Sequence, residues 1–269
     1  MDKEKSTQPA EHAGLLRIPE DRAVSESIGS ILVFGIVITG IALIIVSGLS
    51  ILNDSKDMNN FQSVEQSFKV VQSNLKRVAF EKTPVQTARL HIEGGTLRTN
   101  VTGSTIQVDF NGNRYGNTIG EITYQGTAGK TVSVQNGGLW IDYGGDRDDQ
   151  MVLAPRIFAQ PETGTLIVNV IRLTGAPSSF GGSGTMNLVM EYNDTKMYTY
   201  SSPGPTNAVI TLNTEYPNAW ARCLEGSLEG FVVTSATPSP QTAEITVSGV
   251  KTVVISEHTV YIGPLVYNS

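Results

Sequence analysis

Three patterns of apolar and polar residues follow one another along this chain. The first is a run from Ser27 to Asn53 that contains no charged side chain. A helix rises about 1.5 Å per residue, so this run comfortably crosses a hydrocarbon core of roughly 30 Å. A cleavable secretory signal has an apolar region of only about 7–15 residues, which this run exceeds. The pattern predicts a membrane-spanning helix over about residues 28–52.

The second pattern lies directly after the apolar run. Apolar residues recur there at spacings of three and four, as on one face of a helix. They are Met58, Phe61, Val64, Phe68, Val71, Leu75 and Val78. This stripe predicts an amphipathic helix over about residues 54–80. It either packs against the chain's own globular domain or joins a coiled coil, for which about three heptads is a short run.

The membrane-spanning and amphipathic segments are predicted to form one helix. The sequence contains no proline between Pro19 and Pro84, and an internal proline is what would break or kink such a helix. We therefore predict one long N-terminal helix over residues 24–82 that ends before Pro84.

The third pattern covers residues 83–269. Short stretches of alternating apolar and polar residues are separated there by Gly, Asn, Asp and Ser, which indicates strands and hairpins. A short helix is predicted over about residues 217–225, with Pro217 in its first turn and Gly226 as its stop. One face of it carries Trp220, Cys223 and Leu224. The predicted fold class is α+β: a long transmembrane-to-amphipathic helix followed by an antiparallel β-sheet or sandwich.

Composition excludes one class of partner. The formal net charge is −6, and basic residues do not cluster with aromatic ones, so we expect no nucleic-acid partner. Cys223 is the single cysteine. Because it has no partner for an internal disulfide, we predict that it is buried and unreactive.

The sequence shows no catalytic motif, and we predict no catalytic residue, cofactor site or metal site. The acidic residues Asp142, Asp146, Asp148 and Asp149 offer oxygen atoms of the kind that bind Ca²⁺. Their spacing is not that of an EF-hand, so an exposed hairpin tip is the favoured interpretation. An enzyme would require His91 or His258 to meet this acidic loop in a pocket.

Two tripeptides match the acceptor pattern for N-glycosylation. They begin at Asn100 and Asn193. The match has a meaning only if residues 83–269 lie outside the cell, so both asparagines are candidate modification sites under that condition.

The stretch "RAVSESIGSILVFGIVITG" resembles the N-terminus of archaeal type IV pilin-like proteins and archaellins. Together with "FQSVEQSFKVVQSNLKRV" it is also similar to a group of archaeal surface proteins that combine a pilin-like N-terminus with a β-rich remainder. The resemblance implies that a prepilin peptidase recognises Arg22 and Ala23 and cuts before Val24. Residues 1–23 would then be a cytoplasmic leader that is removed.

Glu26 departs from the resemblance, because proline is common at its position in the archaeal family. The family logic pairs such a carboxylate with the N-terminal amine of a neighbouring subunit. The alternative is local: Ser25 caps the helix, and Glu26 is stabilised by the helix dipole in the first turn. Both interpretations stay open at this point.

The distribution of Lys and Arg sets the expected orientation. Residues 1–22 contain Lys3, Lys5, Arg17 and Arg22, which favours a cytoplasmic leader under the positive-inside rule. We therefore expect a single-pass protein of the cytoplasmic membrane with residues 83–269 outside.

The favoured hypothesis is a non-enzymatic, pilin-like subunit, major or minor, of an archaeal surface filament. Its expected partners are membrane lipid, the prepilin peptidase and other pilin-like subunits that contact its N-terminal helix. The alternative is an uncleaved, membrane-anchored surface protein whose β-sandwich binds other envelope components. A leader that is retained or removed distinguishes the two.

Overall fold

This computed structural model describes residues 20–127, 129–144 and 149–268 of the chain. The side chains of residues 20–27, 50, 54, 238 and 268 lie outside that description. The chain divides into two compact units, Met1–Asp54 and Ser55–Ser269. The second unit contains the end of the first helix and the entire β-domain.

Helix α1 runs over Glu20–Glu81. It ends because Lys82 has a positive φ of 54°, which takes the backbone out of the helical region, and Pro84 follows two residues later. Within the second unit, the predicted stripe from Phe61 to Val78 is buried. The hypothesis that the stripe packs against the chain's own domain is therefore confirmed for these residues, whereas Met58 at its start stays exposed.

Thirteen strands and a second helix follow in the described part of the chain. They are β1 (Val85–Asn100), β2 (Thr105–Phe110), β3 (Asn113–Thr118), β4 (Glu121–Gln125), β5 (Thr131–Gln135), β6 (Gly138–Asp142), β7 (Gln150–Leu153), β8 (Ile157–Gln160), β9 (Thr165–Gly175), β10 (Ser178–Asn213), α2 (Pro217–Ser227), β11 (Val232–Ser239), β12 (Thr242–Ile262) and β13 (Val266–Asn268). Strand preference is clearest in β2, β4 and β5, where β-branched residues alternate with polar ones.

Hydrogen bonds connect all thirteen of these strands in one sheet. Its central order is β7-β6-β5-β4-β1-β10-β12-β9-β8. The hairpin of β2 and β3 adds to β10, β11 adds to β12, and β13 adds to β10. The predicted α+β class is confirmed, and most pairs are antiparallel as expected. One pair departs from the prediction, because β9 and β12 run parallel.

Strand β1 contains a bulge in its middle. The register with β10 shifts between Glu93 and Thr96, where Gly94 and Gly95 both have positive φ. A Cβ atom on Gly95 would lie 2.4 Å from the carbonyl oxygen of Gln125. Only glycine satisfies both conditions at this point of the sheet.

Two apolar clusters hold the domain together. The helix cluster packs the α1 stripe against β1, β4, β5, β6 and parts of β9, β10 and β12. The tryptophan cluster surrounds Trp140 and Trp220 and involves α2, β2 and other parts of β9, β10 and β12. In β6, Leu139 and Ile141 belong to the helix cluster, and Trp140 belongs to the tryptophan cluster. Because neighbouring residues of a strand point to opposite faces, β6 separates the two clusters.

Helix α2 covers the tryptophan cluster. Trp220, Cys223 and Leu224 are buried on its inner face, and the rings of Trp140 and Trp220 stack with centroids 4.5 Å apart. The predicted stop at Gly226 is wrong, because the helix continues to Ser227. It closes with a hydrogen bond from the Leu228 N–H to the Leu224 carbonyl oxygen.

Candidate functional site

The candidate functional segment is the exposed apolar part of α1. From residue 28 to residue 52 every described side chain is exposed or half-exposed. Ile44, for example, has 73% of its surface exposed. The segment Ile28–Glu81 is long and apolar enough to cross a membrane. Exposed aliphatic surface on this scale is unfavourable in water, so the segment is compatible with single-pass membrane anchoring.

Glycines in this segment have no role in the packing of the described chain. A Cβ atom added to Gly29, Gly35, Gly40 or Gly48 would meet no other atom within 4 Å. The hydroxyl of Thr39 donates to the Gly35 carbonyl oxygen at 2.8 Å, so this polar group is satisfied within the helix. The segment therefore presents an apolar surface with small residues and with its Thr39 hydroxyl already bonded.

The residues predicted for processing and assembly lie at the start of α1. The backbone of Arg22, Ala23, Val24 and Glu26 is helical, whereas their side chains fall outside the described part of the structure. Residues 1–19 also fall outside it. The predicted cleavage before Val24 and the two interpretations of Glu26 therefore stay predictions.

The two candidate glycosylation sites have different surroundings. The side-chain oxygen of Asn100 accepts hydrogen bonds from the N–H and the hydroxyl of Thr102, both at 3.2 Å. Asn193 is exposed and lies at a bulge, where the pairing of β10 with β12 skips from Tyr192 to Asp194. Asn193 is therefore the more accessible of the two.

At the C-terminal end of the acidic stretch, Asp149 contacts helix α2. Asp149 accepts a hydrogen bond from the Ala219 N–H at 3.2 Å and forms an ion pair with Arg222 at 3.8 Å. A carboxylate in the first turn of a helix is stabilised by the helix dipole. Asp142 accepts a hydrogen bond from the Gly144 N–H at 2.7 Å. Asp146 and Asp148 lie outside the described residues, and those that are described contain no metal-binding group of three.

The structure gives His91 and His258 separate surroundings. His91 is exposed on β1 beside the Thr185 hydroxyl and Glu93. His258 is buried on β12, where Nδ1 lies 3.1 Å from the Thr195 hydroxyl and the ring meets Phe80 edge-on. Burial and, after it, the nearby Lys82 lower the pKa of His258. The contacts that the structure gives these two histidines do not include Asp142 or Asp149.

A buried polar network was not predicted from the sequence. The side-chain nitrogen of Gln135 donates to Glu121 at 2.7 Å and to Ser104 at 3.1 Å. Its oxygen accepts from Thr214 at 2.8 Å and from the Trp220 indole at 3.2 Å. Burial raises the pKa of Glu121. Since all four bonding positions of Gln135 are filled, the network ties four other segments to β5 and is structural in character.

One local signal marks the turn beside this network. Gln135 precedes Asn136 and Gly137, which both have positive φ and form the tight turn between β5 and β6. Asn-Gly between two apolar stretches is a strong hairpin signal. It predicts the turn but not the partners of Gln135, because these come from distant parts of the chain.

Cys223 lies on the inner face of α2. It is buried, and burial raises the pKa of its thiol. A raised pKa keeps the sulfur protonated and weakly nucleophilic. This agrees with the predicted burial of the residue.

Comparisons with known proteins place the chain in a family. Residues 22–263 match the model of a family described as a family of unknown function, DUF7289. An uncharacterized protein of Archaeoglobus fulgidus is 26% identical over 263 residues, which cover 79% of this chain and 86% of the relative. No solved structure matches the chain. Because the matched residues make up most of its length, the chain belongs to DUF7289, a family of unknown function.

Proposed function

We propose that this chain is a membrane-inserted, pilin-like structural subunit of an archaeal surface filament. The observation that carries the proposal is the contrast within α1. Residues 61–78 bury an apolar stripe in the chain's own domain, while residues 28–52 leave apolar side chains exposed on all sides. The exposed segment is then free to contact lipid before assembly and other subunits after it.

Processing by a prepilin peptidase is part of the proposal. The charged Arg22, the small Ala23 and the following apolar helix have the order that such a peptidase recognises, and the family match begins at residue 22. Residues 1–23 are then a cytoplasmic leader, and Val24 is the first residue of the mature protein. Cleavage on this side leaves the whole apolar segment on the mature chain.

The β-domain has a non-enzymatic role in this proposal. It lies outside the cytoplasmic membrane without a nucleic-acid partner, while the N-terminal helix contacts the other pilin-like subunits. The filled hydrogen bonds of Gln135 support a structural role for its buried polar groups. Whether the subunit is a major or a minor component depends on its abundance in the filament, and the fold allows both.

The experiment that tests the proposal is to determine the N-terminal residue of the protein from its native membrane. Mass spectrometry of the intact chain and of its N-terminal peptide is expected to give a start at Val24. Ala23→Leu should block the cut because the small residue before the scissile bond is lost. Ala13→Leu, the same change elsewhere in the leader, should be processed normally.

A mature chain that still begins at Met1 contradicts the proposal. It would instead support an uncleaved, membrane-anchored surface protein, which uses the same apolar segment only as an anchor. Equal processing of the Ala23→Leu and Ala13→Leu variants would likewise show that the predicted peptidase motif is not the one used.

A further inference from the structure

The chain contains two Asn-Gly pairs, Asn111-Gly112 and Asn136-Gly137. Each pair forms the two-residue turn of a hairpin, the first between β2 and β3 and the second between β5 and β6. In both turns the two residues have positive φ, as a type I′ turn requires. The pairs therefore share their local sequence and their kind of turn, so that only their surroundings differ.

The second pair is held from several sides. Asn136 is only 2% exposed, and its side-chain oxygen accepts a hydrogen bond from the Ile171 N–H at 2.6 Å. Its side-chain nitrogen donates to the Asn169 carbonyl oxygen at 3.1 Å. A Cβ atom on Gly137 would lie 2.9 Å from the Ile171 side chain. The amide of Asn136 is therefore fixed at both ends, and the turn has no room to rotate.

The first pair lies at an open hairpin tip. Asn111 and Gly112 are both exposed, and a Cβ atom on Gly112 would meet no other atom within 4 Å. The side-chain nitrogen of Asn111 donates to the Ser201 carbonyl oxygen at 3.2 Å, and this bond is exposed. Segments with exposed hydrogen bonds and few packed neighbours open more readily than core strands. The backbone between Asn111 and Gly112 is therefore free to rotate when the tip opens.

We propose that Asn111 is a site of spontaneous deamidation and that the fold protects Asn136 from the same reaction. The backbone nitrogen of Gly112 attacks the side-chain carbonyl carbon of Asn111, and its proton leaves with the side-chain nitrogen as ammonia. Water then opens the resulting succinimide ring and gives aspartate or isoaspartate. Glycine permits the attack because it has no side chain to hinder it. The proposal concerns the β-domain alone and does not depend on the proposed function.

The modification has a structural consequence for the hairpin of β2 and β3. An ionised carboxylate has no hydrogen to donate, so the bond from residue 111 to the Ser201 carbonyl oxygen is lost. Isoaspartate also adds one carbon atom to the main chain, which distorts a two-residue turn. The tip of this hairpin is therefore released from β10, whereas the turn between β5 and β6 stays intact.

Peptide mapping of the full-length chain in mild detergent tests the proposal. The folded protein is incubated at mildly alkaline pH, which favours the attacking form of the Gly112 nitrogen, and is then digested. Mass spectrometry measures the deamidated fraction at Asn111 and at Asn136. We expect at least tenfold more at Asn111, because local opening is easier there. In denaturant the two pairs should react at similar rates, since their folded surroundings are gone.

Two results of the mapping would overturn the proposal. Similar rates at Asn111 and Asn136 in the folded chain would show that the fold does not protect Asn136. A folded chain that stays intact at Asn111, while the unfolded chain reacts at both pairs, would show that the hairpin tip itself prevents the attack.

A matched pair of variants tests the consequence. Asn111→Asp reproduces the aspartate product, and amide hydrogen exchange at the tip of the hairpin of β2 and β3 should become at least threefold faster. Asn207→Asp adds the same charge at an exposed residue that lines the same surface cleft, and it should leave this exchange unchanged. Equal acceleration in both variants, or in neither, would overturn the assigned role of the bond to Ser201.

Discussion

The two halves of helix α1 both carry large apolar side chains, but these are arranged differently and have different surroundings. In residues 61–78 the apolar side chains other than Val70 form one stripe, and the domain buries it. In residues 28–52 they point in every direction and stay exposed. The comparison shows that the arrangement of apolar residues around a helix decides what covers it. A stripe requires one apolar neighbour, whereas an all-round apolar surface requires an apolar environment.

The largest expected difference between the halves concerns the stability of the domain. Phe68→Ala removes a fully buried ring and should lower the free energy of unfolding by about 3–5 kcal/mol. Phe34→Ala in the exposed half should change it by less than about 0.5 kcal/mol. Chemical denaturation in mild detergent, followed by the fluorescence of Trp140 and Trp220, measures both. Equal losses would mean that the two halves do not differ in the way described.

Membrane retention should depend on the exposed half of α1 and not on the buried half. Ile45→Lys places a charge in the exposed apolar half and should disfavour insertion by about 2.5–3.5 kcal/mol. Val70→Lys is the matched change in the other half, because Ile45 and Val70 are 54% and 53% exposed. Carbonate extraction of membranes should release more of the first variant only. Release of both variants alike would contradict the assignment of the anchor to residues 28–52.

The pH dependence of stability should report the buried carboxyl group of Glu121 inside the domain. Burial, and then the negative charge of Glu215, raise the pKa of Glu121 in the folded state above its ordinary value of 4.5. The unfolded chain therefore loses this proton first as the pH rises. The free energy of unfolding should fall as the pH rises through 4.5 toward the folded-state value.

Glu121→Gln should remove this dependence, because an amide does not titrate. Melting temperatures measured at about pH 4 and about pH 8 should differ less for this variant than for the unmodified chain. Glu244→Gln, at an exposed position of β12, is the control and should leave the difference unchanged. An identical pH profile for Glu121→Gln and the unmodified chain would show that Glu121 is not the responsible group.

The smallest effect is expected on the polar side of the buried half. Lys69 and Glu65 form an ion pair one helical turn apart at 2.8 Å. Lys69→Gln should lower the free energy of unfolding by about 0.3–0.5 kcal/mol, as for other ion pairs one turn apart on helices. Lys56→Gln, at an exposed position of the same helix, provides the reference. A loss above about 1 kcal/mol would indicate that the polar side contributes more than the comparison assumes.

Local patterns were sufficient to predict the class of fold and the buried stripe. The spacing of Phe61, Phe68 and Val78 identifies the inner face of the helix without any knowledge of the sheet. Alternation and turn residues likewise predict a β-rich domain after Pro84. These features depend on residues that lie close together in the sequence, so periodicity detects them.

Contacts between distant segments could not be predicted in this way. The parallel pairing of β9 with β12 joins Thr165 to Thr252, and no turn signal announces such a pair. The partners of Gln135 range from Ser104 to Trp220. Each of these requires the topology, which a single sequence does not specify through its local pattern.

The contribution of β12 to the cover of the α1 stripe has a consequence during synthesis of the chain. The α1 stripe is complete at Val78, but part of its cover is supplied by Val260 and Ile262 of β12. At synthesis rates of about 5–20 residues per second, these two residues are synthesised on the order of 10–40 s after the stripe is complete. During that interval the nascent chain carries an uncovered apolar helix, which makes it a client for chaperones or for the membrane surface until its last long strand arrives.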